Sequence, residues 1–143
     1  MDYNDFVYNV NRIVQEIDKE IVAIPVENDE GFGARANVKI VEFPEEPTEL
    51  AYNTALFVID FYNGHKMPLL TPFLVALLHE VGHVVGDKVP VSQWKKQRRA
   101  ILKRHKKSFV MNKVYFRMDS EKNATNWARN FIKENPKKVL KWN

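Results

Sequence analysis

The chain has 143 residues, of which 45% are hydrophobic, and these values fit one globular domain with a core of its own. It contains no cysteine, which excludes a disulfide framework and a thiolate zinc site, so imidazole and carboxylate groups must do any metal binding. The first residues are acidic where a signal peptide would be basic and then apolar, and no apolar run reaches the roughly eighteen residues that span a bilayer, so we expect a cytoplasmic protein without a membrane contact.

The first twenty or so residues predict an amphipathic helix, because their apolar side chains recur at helical spacing. The residues of this stripe are Phe6, Val10, Ile13, Val14, Ile17 and Ile21. Three strands are predicted after it, over about residues 21–26, 37–43 and 55–61. The last of these is the most continuous apolar run, and it leads into the loop before the next helix.

A second helix is predicted to begin at Thr71 and Pro72, since threonine is a good N-cap and proline suits the first helical position. An apolar run without a charge follows over residues 73–78. Gly86 offers a stop, because glycine readily takes the left-handed conformation beyond a helix end. The pattern indicates a buried helix of about four turns.

This helix carries the motif His79-Glu80-Val81-Gly82-His83. Two histidines four residues apart lie about 40° from each other around a helix axis, so both can bind one ion. A glutamate directly after the first histidine lies beside that ion, where it can take a proton from an activated water. The motif therefore predicts two Zn²⁺ ligands and a general base. In the alternative interpretation, the histidines are hydrogen-bonded core residues and Glu80 is a surface charge.

A catalytic zinc site needs a third protein ligand. A metzincin would supply a histidine three residues after the glycine that ends the helix, but Val89 occupies that position. The other option is a glutamate from a later helix. Glu121 begins such a helix and shares one stripe with Ala124, Ala128 and Phe131, which favours an inward-facing carboxylate. Alternatively, it is a first-turn glutamate that interacts with the helix dipole.

The two helices together resemble a known family. His-Glu-x-x-His followed by Glu-x-x-Ala-x-x-aromatic-Ala is similar to the ImmA/IrrE family, small gluzincin-type metallopeptidases of phages and integrative elements of bacteria. Four residues match the family's metal and base positions, namely His79, Glu80, His83 and Glu121. Three more match its helix-packing positions, namely Ala124, Trp127 and Ala128.

We therefore predict an α+β fold: a small zincin-like domain with an N-terminal helix, a small mixed or antiparallel sheet, the HExxH helix and a helical C-terminal part. It is predicted as one domain over residues 1–143, with a basic segment, 92–118, inserted between the two motif helices. His79, His83 and Glu121 are expected to hold Zn²⁺, with Glu80 as the catalytic base. The resemblance implies a narrow-specificity endopeptidase in a bacterial host, with a helix-turn-helix repressor of a phage or mobile element as its substrate.

Charge is divided unevenly along the chain, with a net of −9 over residues 1–60 and +13 over residues 61–143. The densest basic tract, residues 94–107, contains eight cations in fourteen residues. It predicts weak contact with nucleic acid or an acidic partner, or else a solvated helix face. The alternative function is a zinc-binding regulatory module that recognises a repressor or DNA without cutting it. A third is a peptidase toxin held in check by a partner.

Overall fold

The structure is a computed structural model that describes residues 3–27, 31–49, 52–53, 55–56, 71–104 and 118–142. Five helices and three strands have their bounds within these ranges. In chain order they are α1 (Tyr3–Ile17), β1 (Val22–Val26), β2 (Gly33–Arg35), β3 (Ile40–Pro44), α2 (Pro72–Val85), α3 (Val91–Arg104), α4 (Asp119–Glu134) and α5 (Pro136–Trp142). The α+β class predicted from the sequence is confirmed.

Helix α1 covers the sheet, as its amphipathic pattern predicts, and it buries Phe6, Val10, Ile13 and Val14. The helix ends at Ile17, so the buried Ile21 belongs to the connection before β1 and not to the helix. Burial of these apolar side chains stabilises the helix more than its intrinsic propensity does.

The sheet is mixed and has the strand order β1-β3-β2. Strand β1 runs parallel to β3, while β2 runs antiparallel to β3 with Ala34 opposite Val41. The strand predicted at 21–26 is confirmed, but the one predicted at 37–43 begins late. Ala36–Val38 form a 3₁₀ turn and Lys39 has φ 54°, a left-handed conformation from which the chain enters β3.

The strand predicted at 55–61 is wrong where the structure describes it, because Ala55 and Leu56 are helical. Residues 57–61 lie outside the described residues. A continuous apolar run has no period of two, so it does not distinguish a buried strand from a buried helix segment.

Helix α2 begins as predicted: the Thr71 side chain accepts a hydrogen bond from the backbone N–H of Leu74 at 3.4 Å. The left-handed stop predicted at Gly86 is wrong, because this residue has φ −111° and ψ −14°. Its lack of a side chain serves packing instead, since a Cβ there would lie 2.7 Å from Cβ of Trp127 on α4. A Cβ on Gly82 would lie only 2.5 Å from the carbonyl oxygen of Ala124. The two glycines therefore allow α2 and α4 to pack in close contact.

The C-terminal helix α5 packs on the core and buries Val139 and Trp142 in it. The Trp142 indole N–H donates to Glu16 of α1 at 3.0 Å, and its ring stacks on Phe131 of α4 with centroids 5.9 Å apart. Among the described residues, no helix has both the length and the apolar character required to cross a bilayer.

Candidate metal centre

The three predicted ligands converge where α2 packs against α4. His79 is 1% exposed and Glu121 is 3% exposed, while His83 is half-buried one helical turn further along. The Nε2 atoms of His79 and His83 both face Oε2 of Glu121, at 2.7 and 3.2 Å. The backbone contact between the two helices thus fixes the carboxylate opposite both imidazoles.

This donor set fits a divalent metal ion. One ligand atom from each of His79, His83 and Glu121 lies within 4.8 Å of the other two. Two ligands of a tetrahedral Zn²⁺, each about 2 Å from the ion, are roughly 3.3 Å apart, which is near the shorter separations seen here. Two imidazole nitrogens and one carboxylate oxygen also form the protein ligand set of known catalytic zinc sites. The buried His-His-Glu group could therefore bind a metal ion.

Each histidine is oriented through its other ring nitrogen. Thr125 Oγ1 lies 3.2 Å from Nδ1 of His79. Nδ1 of His83 lies 3.3 Å from Ser120 Oγ and 3.6 Å from Asp87 Oδ2, and the Ser120 hydroxyl donates to the same carboxylate. Such contacts fix which ring nitrogen is left for a metal, and here they leave Nε2.

Sequence reasoning did not identify these orienting residues, and only one of them had a clear signal in the spacing. Thr125 follows Glu121 by four residues, so the two share a face of α4. Ser120 is adjacent to Glu121, about 100° away around the helix axis, and Asp87 lies beyond the end of α2. These residues contact the histidines and not the metal position, so a pattern of metal ligands in the sequence does not include them.

The hydrogen bonds at the site shift the acid–base equilibria of its side chains. Burial alone would lower the pKa of His83, but contact with Asp87 and Glu121 and the charge of Glu80 raise it to about 10. Burial opposes ionisation of Glu121 and Asp87 too, yet hydrogen bonds with the histidines lower the pKa of each carboxyl to about 2. Burial raises the pKa of Glu80, against the opposing effect of the two histidines.

His79, His83 and Glu121 line a cleft of about 720 Å³, and because His79 and Glu121 are almost completely buried, they form its floor. One wall is β2 together with the residues on either side of it, 32–37. Another wall is apolar and consists of Val89, Val91 and Trp94, the last two from the first turn of α3. Glu80 and Asp87 join the metal-site residues on the floor. The predicted base therefore faces the same space as the predicted ligands.

The chain matches no known protein-family model, no curated protein and no solved structure. Membership of the ImmA/IrrE family thus stays a prediction from the motifs. What the structure adds is the geometry of His79, His83 and Glu121 and of the side chains that orient them.

Proposed function

We propose that the chain is a zinc-dependent endopeptidase. The observation that carries the proposal is the convergence of His79, His83 and Glu121 beside Glu80 on the floor of an open cleft. A structural zinc site would be closed by a fourth protein ligand, whereas among the described residues only three candidate ligands meet here. A site with three protein ligands next to a cleft leaves a position for water and substrate.

The chemistry divides between the ion and the side chains. His79, His83 and Glu121 would hold Zn²⁺, and the bound ion would polarise the scissile carbonyl and lower the pKa of a water toward neutrality. Glu80 accepts the proton of the attacking water and then donates it to the leaving nitrogen. Because burial raises the pKa of Glu80, its carboxylate is a stronger base than a solvated glutamate.

The cleft offers an extended peptide a sheet edge. Strand β2 pairs with β3 alone among the described strands, and its residues line the cleft. A substrate that adds to β2 as a further strand makes backbone hydrogen bonds, and its scissile bond then lies across the metal centre. The motif resemblance extends this proposal to a repressor of a phage or mobile element as the protein that is cut.

A second candidate function is a zinc-binding regulatory module that recognises a repressor or DNA without cutting it. The exposed cations of α3 favour this candidate, since they form a basic surface next to the metal centre. Glu80 argues against it, because a regulatory site has no need for a carboxylate whose ionisation burial opposes.

The two candidates separate in the Glu80→Gln variant. We expect it to retain about one zinc per chain by metal analysis but to lose cleavage of a peptide library read by mass spectrometry. Glu121→Gln is expected to lose the zinc, while Glu134→Gln, an exposed position on the same helix, keeps both zinc and cleavage. Cleavage that survives in Glu80→Gln would contradict the proposal. A biological effect that survives in that variant without cleavage would favour the regulatory module.

A further inference from the structure

We propose that α3 binds an acidic flank of the substrate, so that the protein selects peptides with an apolar side chain near the scissile bond and an acidic run beside it. This inference rests on the proposed function, because it takes the cleft to hold a peptide. It concerns the outer face of α3 and the apolar cleft wall, and neither of these belongs to the metal centre.

Helix α3 attaches to the body by a narrow stripe. None of its residues is buried, and the half-buried Trp94, Gln97 and Ile101 recur at i, i+3 and i+7 on one face. The opposite face carries four exposed cations at neighbouring positions of the helical wheel. They are Lys95, Lys96, Arg99 and Lys103, and we refer to them as the cationic stripe.

The charge of α3 is not compensated within the described part of the molecule. None of its six lysine and arginine side chains forms an ion pair with a described carboxylate, whereas Arg35 and Lys39 of the sheet region do form such pairs. The acidic residue that touches α3 is Asp119, and it accepts hydrogen bonds from the neutral amides of Gln93 and Gln97, at 2.9 and 2.7 Å. An anion from outside these residues is therefore the natural partner of the cationic stripe.

The stripe continues directly from the cleft. Val91 and Trp94 line the cleft wall, and Lys95 follows within the same turn of α3. Val91 is 64% exposed, so its apolar surface is available to a substrate side chain. A polypeptide that leaves the cleft over this wall meets an apolar contact first and then the cations of α3.

An acidic peptide fits this sequence of surfaces better than a nucleic acid. The wall of the cleft next to α3 is apolar, and the strand β2 on its lining offers backbone hydrogen bonds, so the cleft suits a neutral extended segment. A nucleic acid bears a charge at every residue and has no neutral segment to place there. A polypeptide can combine a neutral segment in the cleft with a short acidic segment on α3.

The test compares labelled synthetic peptides by fluorescence anisotropy on the zinc-loaded Glu80→Gln protein. Four peptides are compared, and each has a central leucine in a neutral background. The first carries four glutamates on its N-terminal flank, the second carries them on its C-terminal flank, the third carries four lysines, and the fourth carries no charge. We expect one of the two glutamate peptides, and not the other, to bind about tenfold tighter than the neutral peptide at low salt, since exposed ion pairs each contribute little. The preference should fall as salt is added.

A charge reversal identifies the surface. The variant with Lys95, Lys96, Arg99 and Lys103 all changed to Glu should lose the preference and favour the lysine peptide instead. The matched control reverses four exposed lysines of the C-terminal helices, which changes the net charge equally but lies away from the cleft. These residues are Lys133, Lys137, Lys138 and Lys141. Circular dichroism checks that both variants are folded.

Three results would overturn the inference: no preference for glutamate, an equal preference for both glutamate flanks, or an equal loss in the control variant. Tighter binding of a 20-base-pair duplex than of either glutamate peptide, lost on reversal of the cationic stripe, would assign α3 to nucleic acid instead. Cleavage assays with the unaltered protein separate the two proposals. Cutting without a flank preference removes only the role of α3, whereas flank-dependent binding with no cutting of any peptide removes only the peptidase.

Discussion

The helix pair α2–α4 and the helix α3 border the same cleft, but they meet opposite physical demands. In the pair, backbones touch, and the side chains of His79 and Glu121 are almost completely buried. In α3 no residue is buried, and the cationic stripe touches no described acid. A metal site needs its ligand atoms placed to within tenths of an ångström, so packing determines its residues. A charged docking surface needs only the sign and density of its charge, and its individual residues are replaceable.

The contrast predicts that one methyl group in the helix pair has a large effect. Gly82→Ala should destabilise the protein by about 2–3 kcal/mol, because the new Cβ would lie 2.5 Å from a backbone atom of Ala124, which cannot rotate away. Helix propensity alone predicts the opposite sign, since alanine in a helix is favoured over glycine by about 1 kcal/mol. As α2 and α4 move apart, zinc binding should weaken too. Urea unfolding and zinc titration measure the two effects.

The matched control is Gly33→Ala at the cleft wall. There an added Cβ would meet Glu42 at 3.8 Å, an ordinary contact, so little change in stability is expected. If Gly82→Ala were as stable as the control, the close contact between the two helices would not be what positions Glu121.

Zinc binding should depend on pH over an unusual range. Zn²⁺ binds a neutral imidazole, but in the metal-free protein the pKa of His83 is raised to about 10, so the ion must displace a proton. The apparent affinity is therefore expected to rise about tenfold per pH unit between roughly pH 7 and 9, where an ordinary histidine with a pKa near 6.5 would give no slope. Competition with a zinc indicator measures it, and a flat profile above about pH 7 would show that the contacts of His83 do not hold its proton.

The same pKa shifts should make the stability of the metal-free protein fall at both high and low pH. The raised pKa of His83 contributes stability that is complete below about pH 6.5 and is lost as the pH rises through about 10. The lowered pKa values of Glu121 and Asp87 contribute stability that is present above about pH 4.5 and is lost as the pH falls through about 2. Saturation with zinc should remove the alkaline limit, because the bound imidazole carries no proton to lose.

Asp87→Asn should have a smaller effect that itself depends on pH. Removing the carboxylate that orients His83 is expected to weaken zinc binding by about 10- to 100-fold. The loss should be larger at pH 9 than at pH 7. The Asp87 carboxylate raises the pKa of His83, so its removal also weakens the binding of the proton that competes with zinc, and this compensation is greater at the lower pH. Asp119→Asn is the control: this residue is next to Ser120, but it contacts Gln93 and Gln97, and zinc affinity should not change. An equal loss in both variants would show that the effect does not come from the contact between Asp87 and His83.

The difference between the two regions also explains what could be predicted from sequence. His79, Glu80 and His83 were identified from the HExxH motif on a helix, and Glu121 from the stripe that it shares with Ala124, Ala128 and Phe131, because a regular helix turns spacing into direction. The strands of the sheet are harder to predict from the sequence. Strand β2 has three residues and begins with glycine, so its existence depends on pairing with β3 and not on its own pattern.

Gly86 shows a second limit. A glycine at a helix end is consistent with a left-handed turn or with a close approach of another backbone or ring, and the sequence does not distinguish the two. Here the deciding partner is Trp127, which lies 41 residues further along the chain. The role of Asp87 also depends on distant residues, because its contact with His83 becomes evident only once Ser120 is brought beside both.

The smallest expected effect is at the centre of the cationic stripe. Arg99 lies four residues from both Lys95 and Lys103, so Arg99→Glu replaces two repulsive pairs on α3 by two attractive ones, each contributing about 0.2–0.5 kcal/mol. The loss of its exposed hydrogen bond to the Lys95 carbonyl, at 3.3 Å, offsets part of this gain. Urea unfolding should show a slight stabilisation at low salt that disappears at high salt, with Arg99→Gln between the two. A destabilisation of more than about 1 kcal/mol would mean that Arg99 holds α3 in place, since surface positions without such a role change stability by about 0.5 kcal/mol or less. The cations of α3 would then be structural like the residues of α2 and α4, and their charge would no longer require an outside partner.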